Sequence, residues 1–182
     1  LIKMSMLVEE SVGCSIRALK ECDIELAEEV IENDDKINQY EIEIEDQCIE
    51  MIATQNPMAS DLRRLFTIVK LITDLERIGD HAVNIARMVK KLEGQELIKP
   101  LVDIPKMAKI AMKMISNSIE AYISEDDGLA VVTVDMDDEV DELYENIYNE
   151  LLDMFEGNTE YKQQVIGLLL IGRYLERNAD HA

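Results

Sequence analysis

Glu76 and Asp80 stand four residues apart, and Glu176 and Asp180 repeat the pair one hundred positions later. On a helix this spacing sets one carboxylate above the other on a single face. The face is an apolar one: Glu76 follows Ile72 by four residues, and Asp80 lies between Gly79 and Val83. Stacked like charges repel, and partial burial adds to the cost, so the pattern calls for something positive between them. All-oxygen ligation favours hard cations such as Fe³⁺, Mn²⁺, Mg²⁺ or Ca²⁺. A ferritin-like oxidase would need a Glu-x-x-His pair. Here Gly79 and Ala179 occupy the third position after each Glu, which disfavours that chemistry.

Further oxygen donors come from the neighbouring helix. Ile37, Ile44 and Met51 recur every seven residues, with Tyr40, Cys48 and Ile52 beside them, which predicts a helix ended by Asn56-Pro57. A third helix begins at Ser60 or Asp61, and its inward stripe is Leu62, Leu65, Val69, Ile72, Leu75, Gly79, Val83 and Ala86. Folding the two helices antiparallel about Pro57 sets Asp34 opposite Asp80 and Asn38 opposite Glu76. The same reflection about Asn158–Thr159 brings Asp137 and Asp141 level with Asp180 and Glu176. Each hairpin thus gathers four oxygen-bearing side chains. Three charges are expected in the first set and four in the second. Arg77 and Arg177 lie three residues before Asp80 and Asp180 and could each neutralise one charge.

The remaining elements follow from periodicity. Met4, Val8, Val12, Leu19, Cys22 and Leu26 mark the inward stripe of a first helix, with Ser15 in its one gap. Residues 91–105 hold one Gly and two of the three Pro, and read as a linker. Three more helices are expected at Lys106 to Ser124, Leu129 to Glu156, and Thr159 to the end. Turns fall at Asp126-Asp127-Gly128 and Glu156-Gly157-Asn158. The halves are copies. Leu75 to Ala82 and Leu175 to Ala182 share six of eight residues, and Asp34, Asp35 and Ile37 match Asp137, Asp138 and Val140 at an offset of 103. The expected architecture is all-α: six helices in two repeated antiparallel three-helix bundles, at 1–91 and 106–182, joined by residues 92–105.

Composition narrows the function. The 182 residues carry a net charge of −21, which argues against nucleic acid and against direct docking on an anionic membrane. Seven Gly, two Phe and no Trp do not suit a β-sandwich. The apolar run Val165–Gly172 is too short to span a bilayer. Three irregularly spaced cysteines (Cys14, Cys22, Cys48) form no disulfide framework and suit a reducing compartment. The thiols and the ten Met are expected in the core. No signal peptide opens the chain, and both ends fall within helical pattern, as if trimmed. His81 and His181 lie about 140° around the helix from their Glu, which suits a polar or interfacial position. No G-x-S-x-G, P-loop or H-E-x-x-H occurs, so nothing marks a nucleophile. In so acidic a chain many Glu-x-x-x-Asp pairs merely face solvent. Duplication at matching helix ends, beside apolar neighbours, favours ligands instead.

The combined motifs resemble the PhoU family of phosphate-uptake regulators. The resemblance is carried by Leu26-Ala27 with Val30-Ile31, Asp34 through Ile44, Asn56 through Arg63, and Leu75 through Ala82. In the second half it rests on Lys99-Pro100-Leu101, Asp103-Ile104-Pro105, Asp137 through Tyr144, and Leu175 through Ala182. It implies paired acid-x-x-x-Asp motifs that hold a multinuclear metal cluster. Here these fall on Asp34/Asn38, Glu76/Asp80, Asp137/Asp141 and Glu176/Asp180. Iron is the expected metal, with Mn, Mg, Zn or Ca as alternatives. Asn38 stands where the family has an acid, so the first site is expected to bind metal more weakly or with fewer ions.

The resemblance also implies a cytoplasmic, non-enzymatic adaptor. It would restrain a phosphate ABC transporter, through its ATPase subunit, and a phosphate-responsive sensor histidine kinase, reaching the membrane only through these partners. The acidic exterior predicts partners with basic patches and salt-sensitive association. A homodimer is compatible with the commonest oligomeric symmetry. Two other readings use the same residues: a carboxylate-bridged metallohydrolase, and a soluble PhoU-type accessory module of another phosphate transporter.

Overall fold

Two short turns show how the chain was duplicated. Cys22 and Glu125 both adopt left-handed backbone, with φ of 53° and 56°. The residue after each, Asp23 or Asp126, donates its N–H to Ala18 or Ala121, at 3.0 Å in both cases. Each Asp side chain then accepts from the N–H three residues on, Leu26 at 3.0 Å and Leu129 at 2.9 Å. All these pairs are 103 residues apart, so the duplication extends back through the first two rods of each half. Both turns use a left-handed C-cap followed by an Asp N-cap. The residue that turns the chain is Glu125, while Gly128, expected in the turn, lies inside the following helix.

A computed structural model describes residues 1–157 and 161–182. Its helices are α1 (Ile2–Glu21), α2 (Ile24–Gln55), α3 (Ala59–Lys91), α4 (Asp103–Ser124), α5 (Asp127–Asp135), α6 (Asp137–Gly157) and α7 (Lys162–His181). Since α5 and α6 are two parts of one rod, the fold is all-α with two antiparallel bundles of three rods each. The expected start of the last helix at Thr159, and Asn158 of the preceding turn, lie outside the described residues.

The break at Met136 separates two helices where one was expected. Val131, Val132, Thr133 and Val134 are β-branched and weak helix formers. The Thr133 hydroxyl bonds back to the Leu129 carbonyl at 2.8 Å, an interaction that bends helices. The Met136 N–H then turns to the carbonyl of Thr133, at 3.1 Å. The break sets Asp137 in the first turn of α6, where free N–H groups favour an acidic side chain.

Other expectations change for similarly local reasons. The first stripe does not continue to Leu26, because the chain reverses at Cys22, which is exposed. Helix α4 begins at Asp103 rather than Lys106, since Pro105 in a first turn removes no helical hydrogen bond. Met51 and Ile52 are exposed. The α2–α3 hairpin is roughly 48 Å long and α1 roughly 30 Å, so α1 leaves the hairpin tip uncovered. Met4, Met107 and Met114 fill the core, whereas Met6, Met51 and Met58 face solvent.

The halves share one continuous core, in which Val8 and Val12 of α1, Ile78 and Ile85 of α3, Met107 and Ile115 of α4, and Leu168 and Ile171 of α7 are all buried. Rod α1 packs on α4, and α3 on α7. The two histidines sit at this second interface, in the interfacial role their position implied. His81, buried, places Nδ1 2.7 Å from Asn178 Oδ1 and stacks on Tyr174 at 5.5 Å between ring centroids. An amide oxygen only accepts, so Nδ1 of His81 carries the proton. His181 answers with Nδ1 3.0 Å from Asp74 Oδ1. Asp74 and Tyr174 are repeat counterparts, so the contact is a pseudo-symmetric exchange between the bundles.

Cys22→Gly provides a test of the left-handed cap. Glycine adopts φ of 53° without the steric cost that a side chain carries there, and the gain is partly offset by its greater freedom when unfolded. The variant is expected to be more stable by about 0.5 kcal/mol, read as a higher urea midpoint. A lower midpoint would contradict the assignment.

Candidate metal centre

The α2–α3 hairpin brings Asp34, Asn38, Glu76 and Asp80 to one level, as the reflection about Pro57 requires. Asp34 feels the charge of Asp80, and Glu76 feels both Asp80 and Asp34. In the other half Asp137 feels Asp141 and Asp180, and Glu176 feels Asp180 and Asp141. The seven acids are thus neighbours hairpin by hairpin, and Asn38 hydrogen-bonds Asp34 in the first set. Each quartet is a half-open bowl. Asp34, Asn38, Glu76 and Asp137 are half-buried and Glu176 is buried, while Asp80, Asp141 and Asp180 form exposed rims. Beside the second quartet a cleft of about 950 Å³ runs past Ile68, Met114, Tyr122 and Val134 to Asp137 and Asp180, and gives them open access.

Close helix approach makes the first bowl. A Cβ added to Gly79 would lie 3.1 Å from Cδ1 of Ile37 and 3.6 Å from Oδ1 of Asp34. The missing side chain is what lets α2 settle against α3 at this level. At the corresponding positions the second half carries Val140 and Ala179, both buried, a smaller residue facing a larger one.

Two residues that sequence reasoning passed over complete the sets. Glu41 adds its charge to the surroundings of Glu76 and accepts a hydrogen bond from the Thr73 hydroxyl at 3.2 Å. Arg173 donates from Nη1 to Oε1 of Glu176. The expected counter-ion Arg77 pairs with Asp74, at 3.6 Å, and still pulls on Glu76 from beside it, while in the second quartet the bonded partner is Arg173 in place of Arg177. Glu41 restores to the first set the charge that Asn38 lacks. The first set holds four carboxylates (Asp34, Glu41, Glu76, Asp80) with Arg77 and Arg87 acting on it from a distance, and the second holds four acids with Arg173 bonded directly to one of them.

The donor chemistry fits a hard cation. Asn38 Oδ1, Asp137 Oδ1 and Glu176 Oε2 are buried with no hydrogen-bond partner, a state that ordinarily costs about 1–3 kcal/mol per group. Each is an oxygen acceptor, the type that Ca²⁺, Mg²⁺, Mn²⁺ or iron would use. As the side chains stand, no three His, Cys, Asp or Glu groups among the described residues converge tightly enough to grip one ion. Four like charges repel, so closing on a cation requires rotamer adjustment at the exposed rim.

Burial, followed by neighbouring carboxylates, raises the pKa of Asp34, Glu76 and Asp137. Burial also raises that of Glu176, against the pull of Arg173. A carboxyl whose pKa is higher folded than unfolded binds its proton better in the native state. Stability therefore falls as pH rises from the ordinary values, 3.8 for Asp and 4.5 for Glu, through the raised folded ones. His81 has the opposite sign: burial lowers its pKa below 6.5, so its contribution is lost as pH falls through that window. The carboxyl sign is reinforced by the net charge of −21, whose self-repulsion grows as pH rises. Chelator-treated protein is expected to melt at higher temperature at pH 5 than at pH 7, by scanning calorimetry. A lower melting temperature at pH 5 would contradict this.

Comparison with known proteins agrees with the two-bundle fold. Residues 1–89 and 104–182 each match the PhoU domain. The phosphate-specific transport system accessory protein PhoU homolog of Clostridium acetobutylicum is 38% identical over 181 residues, spanning 99% of this chain and 83% of the relative. That of Aquifex aeolicus is 40% identical over 176 residues, spanning 97% and 80%. The crystal structure of PhoU from Pseudomonas aeruginosa superposes with a TM-score of 0.94 at 34% identity, over 99% of this chain and 87% of that one. The phosphate transport system regulatory protein PhoU from Streptococcus pneumoniae gives 0.89 at 29% identity, over 98% and 84%. With both halves matched and relatives aligned along nearly its whole length, the chain belongs to the PhoU family.

Proposed function

We propose that the protein is a metal-binding regulatory adaptor of phosphate transport that catalyses no reaction. Its relatives are named accessory or regulatory proteins of the phosphate transport system, and both quartets offer oxygen donors of the kind a hard cation uses. The observation that carries the metal half is the set of buried acceptor oxygens with no donor, present in both copies of the hairpin. A bound cation would supply charge neutralisation at the mouth of each hairpin. The protein's own residues hold α2 against α3, and α6 against α7, so that opposed carboxylates face each other. The His81 and His181 contacts tie the two metal-bearing helices together. In this reading the adaptor restrains a phosphate ABC transporter and a phosphate-responsive sensor kinase when phosphate is plentiful. It works in the cytoplasm and reaches the membrane through those partners. No described helix is long and apolar enough to cross a bilayer.

Deletion of the gene in its native host tests the regulatory half. Phosphate uptake and phosphate-starvation reporter expression should both rise in high-phosphate medium, and return to normal when the wild-type chain is restored. Unchanged uptake and reporter output would refute that half. A screen of phosphate esters with Fe, Mn and Mg should give no turnover. Activity abolished by Asp180→Ala would show an enzyme instead.

A further inference from the structure

The two halves differ in kind at one corresponding pair of positions beside the quartets. In the first half the pair is Glu41 on α2 and Thr73 on α3, joined by the hydroxyl-to-carboxylate bond. In the second half the same positions hold Tyr144 on α6 and Arg173 on α7. The Tyr144 ring lies so close to α7 that a Cβ on Gly172 would come within 3.1 Å of its Cδ2. The first half has Ile72 in the place of that glycine. Arg173 pairs with Glu176. The guanidinium side chain is half exposed and the carboxylate nearly buried, at 49% and 11% accessible. The other oxygen of Glu176 is the orphan described above. An anionic pair in one copy has become a neutral and cationic pair in the other, with the backbone trimmed to seat it.

From this geometry we infer that Arg173 is a resident counter-ion of the second quartet, and that the first quartet, with Glu41 and Thr73 in that place, is the tighter cation site. The inference rests on the metal-binding reading proposed above. Glu176 gives one oxygen to Arg173 and has one left for a cation. A cation that takes both must displace a guanidinium that is half in solvent and free to swing outward. In the first quartet Arg77 and Arg87 act on Glu76 and Asp34 from a distance, being turned to Asp74 and Asn84. No guanidinium is paired with a quartet carboxylate there, and Glu41 adds a fourth negative charge. The sites therefore fill in order, the first before the second. This is the opposite of the order expected when Asn38 is compared with an acid.

The test uses Mn²⁺ as the probe, followed by the electron paramagnetic resonance signal of the free ion. Glu176→Ala/Asp180→Ala leaves only the first quartet, and Glu76→Ala/Asp80→Ala leaves only the second. The second alone is expected to bind about tenfold more weakly than the first alone. In the second-only protein, Arg173→Thr or Arg173→Gln should tighten Mn²⁺ about tenfold, while Arg173→Lys, which keeps the charge, leaves affinity near its starting value. Equal or tighter binding at the second quartet, or no tightening on loss of the Arg173 charge, would overturn the inference while leaving metal binding intact. No Mn²⁺ bound by the wild-type chain would overturn the metal reading and this inference together.

Discussion

Ile37→Ala is expected to cost about 2–4 kcal/mol of unfolding free energy and to weaken metal binding at the first quartet about tenfold. Ile37 is 2% exposed, and its Cδ1 occupies the space that the missing Cβ of Gly79 leaves open. Truncation removes the transfer energy of the buried carbons and leaves a void between α2 and α3. That void lies at the level where Asp34 and Asn38 must face Glu76 and Asp80. The second half shows which change the site tolerates, because Val140 and Ala179 stand at the equivalent positions. Ile37→Val alone should cost about 1 kcal/mol, and Gly79→Ala alone should strain the contact at 3.1 Å. Together they conserve volume, so the double variant should recover stability to within about 1 kcal/mol of wild type. Urea unfolding checks all three. A cost below about 1 kcal/mol for Ile37→Ala would show that the bowl does not depend on this contact.

Saturating metal is expected to raise the melting temperature by about 5–10 °C for each quartet filled. A ligand at one hundred times its Kd adds about 2.7 kcal/mol, and about 1 kcal/mol moves a chain of this size by 2–4 °C. The gain should be larger at pH 7 than at pH 5, because at pH 5 protons already relieve part of the repulsion that a cation would relieve. Glu76→Ala/Asp80→Ala should keep only the part of the shift due to the second quartet. A melting temperature indifferent to Mn²⁺ and iron at both pH values would count against both sites.

The levels of the quartet residues could be read from sequence because two simple constraints fix them. Pro57 sets where the first hairpin folds, and the helical rise then pairs residues equidistant from it. Asp34 with Asp80, and Asn38 with Glu76, follow without knowledge of side-chain packing. Glu41 is paired by the same operation with Thr73, and it was passed over because it lies outside the acid-x-x-x-Asp spacing. Arg173 was missed for a different reason. The arginines considered, Arg77 and Arg177, were matched at a spacing of three to Asp80 and Asp180, the second acid of each pair. The first acid was not searched in the same way, although residues three apart share a face. Arg173 and Glu176 are three apart.

Periodicity also shows which face of a helix is apolar without showing whether another rod reaches it. This is why Met51 and Ile52 lie on the expected stripe and still face solvent. The break at Met136 depends on β-branched residues and on the Thr133 hydroxyl bond. An apolar-stripe reading counts these residues as ordinary members of the helix. The interfacial role of the histidines followed from their angle to Glu76 and Glu176, but their partners Asn178 and Asp74 became visible only when α3 met α7.

Both quartets as cation sites can be tested most directly by elemental analysis. Wild-type chain reconstituted with iron or manganese would be compared with Glu76→Ala/Asp80→Ala and Glu176→Ala/Asp180→Ala. Each variant should retain about half the metal of the wild type, with all three chains equally helical. Negligible metal in the wild type, or the same content in all three, would contradict the assignment.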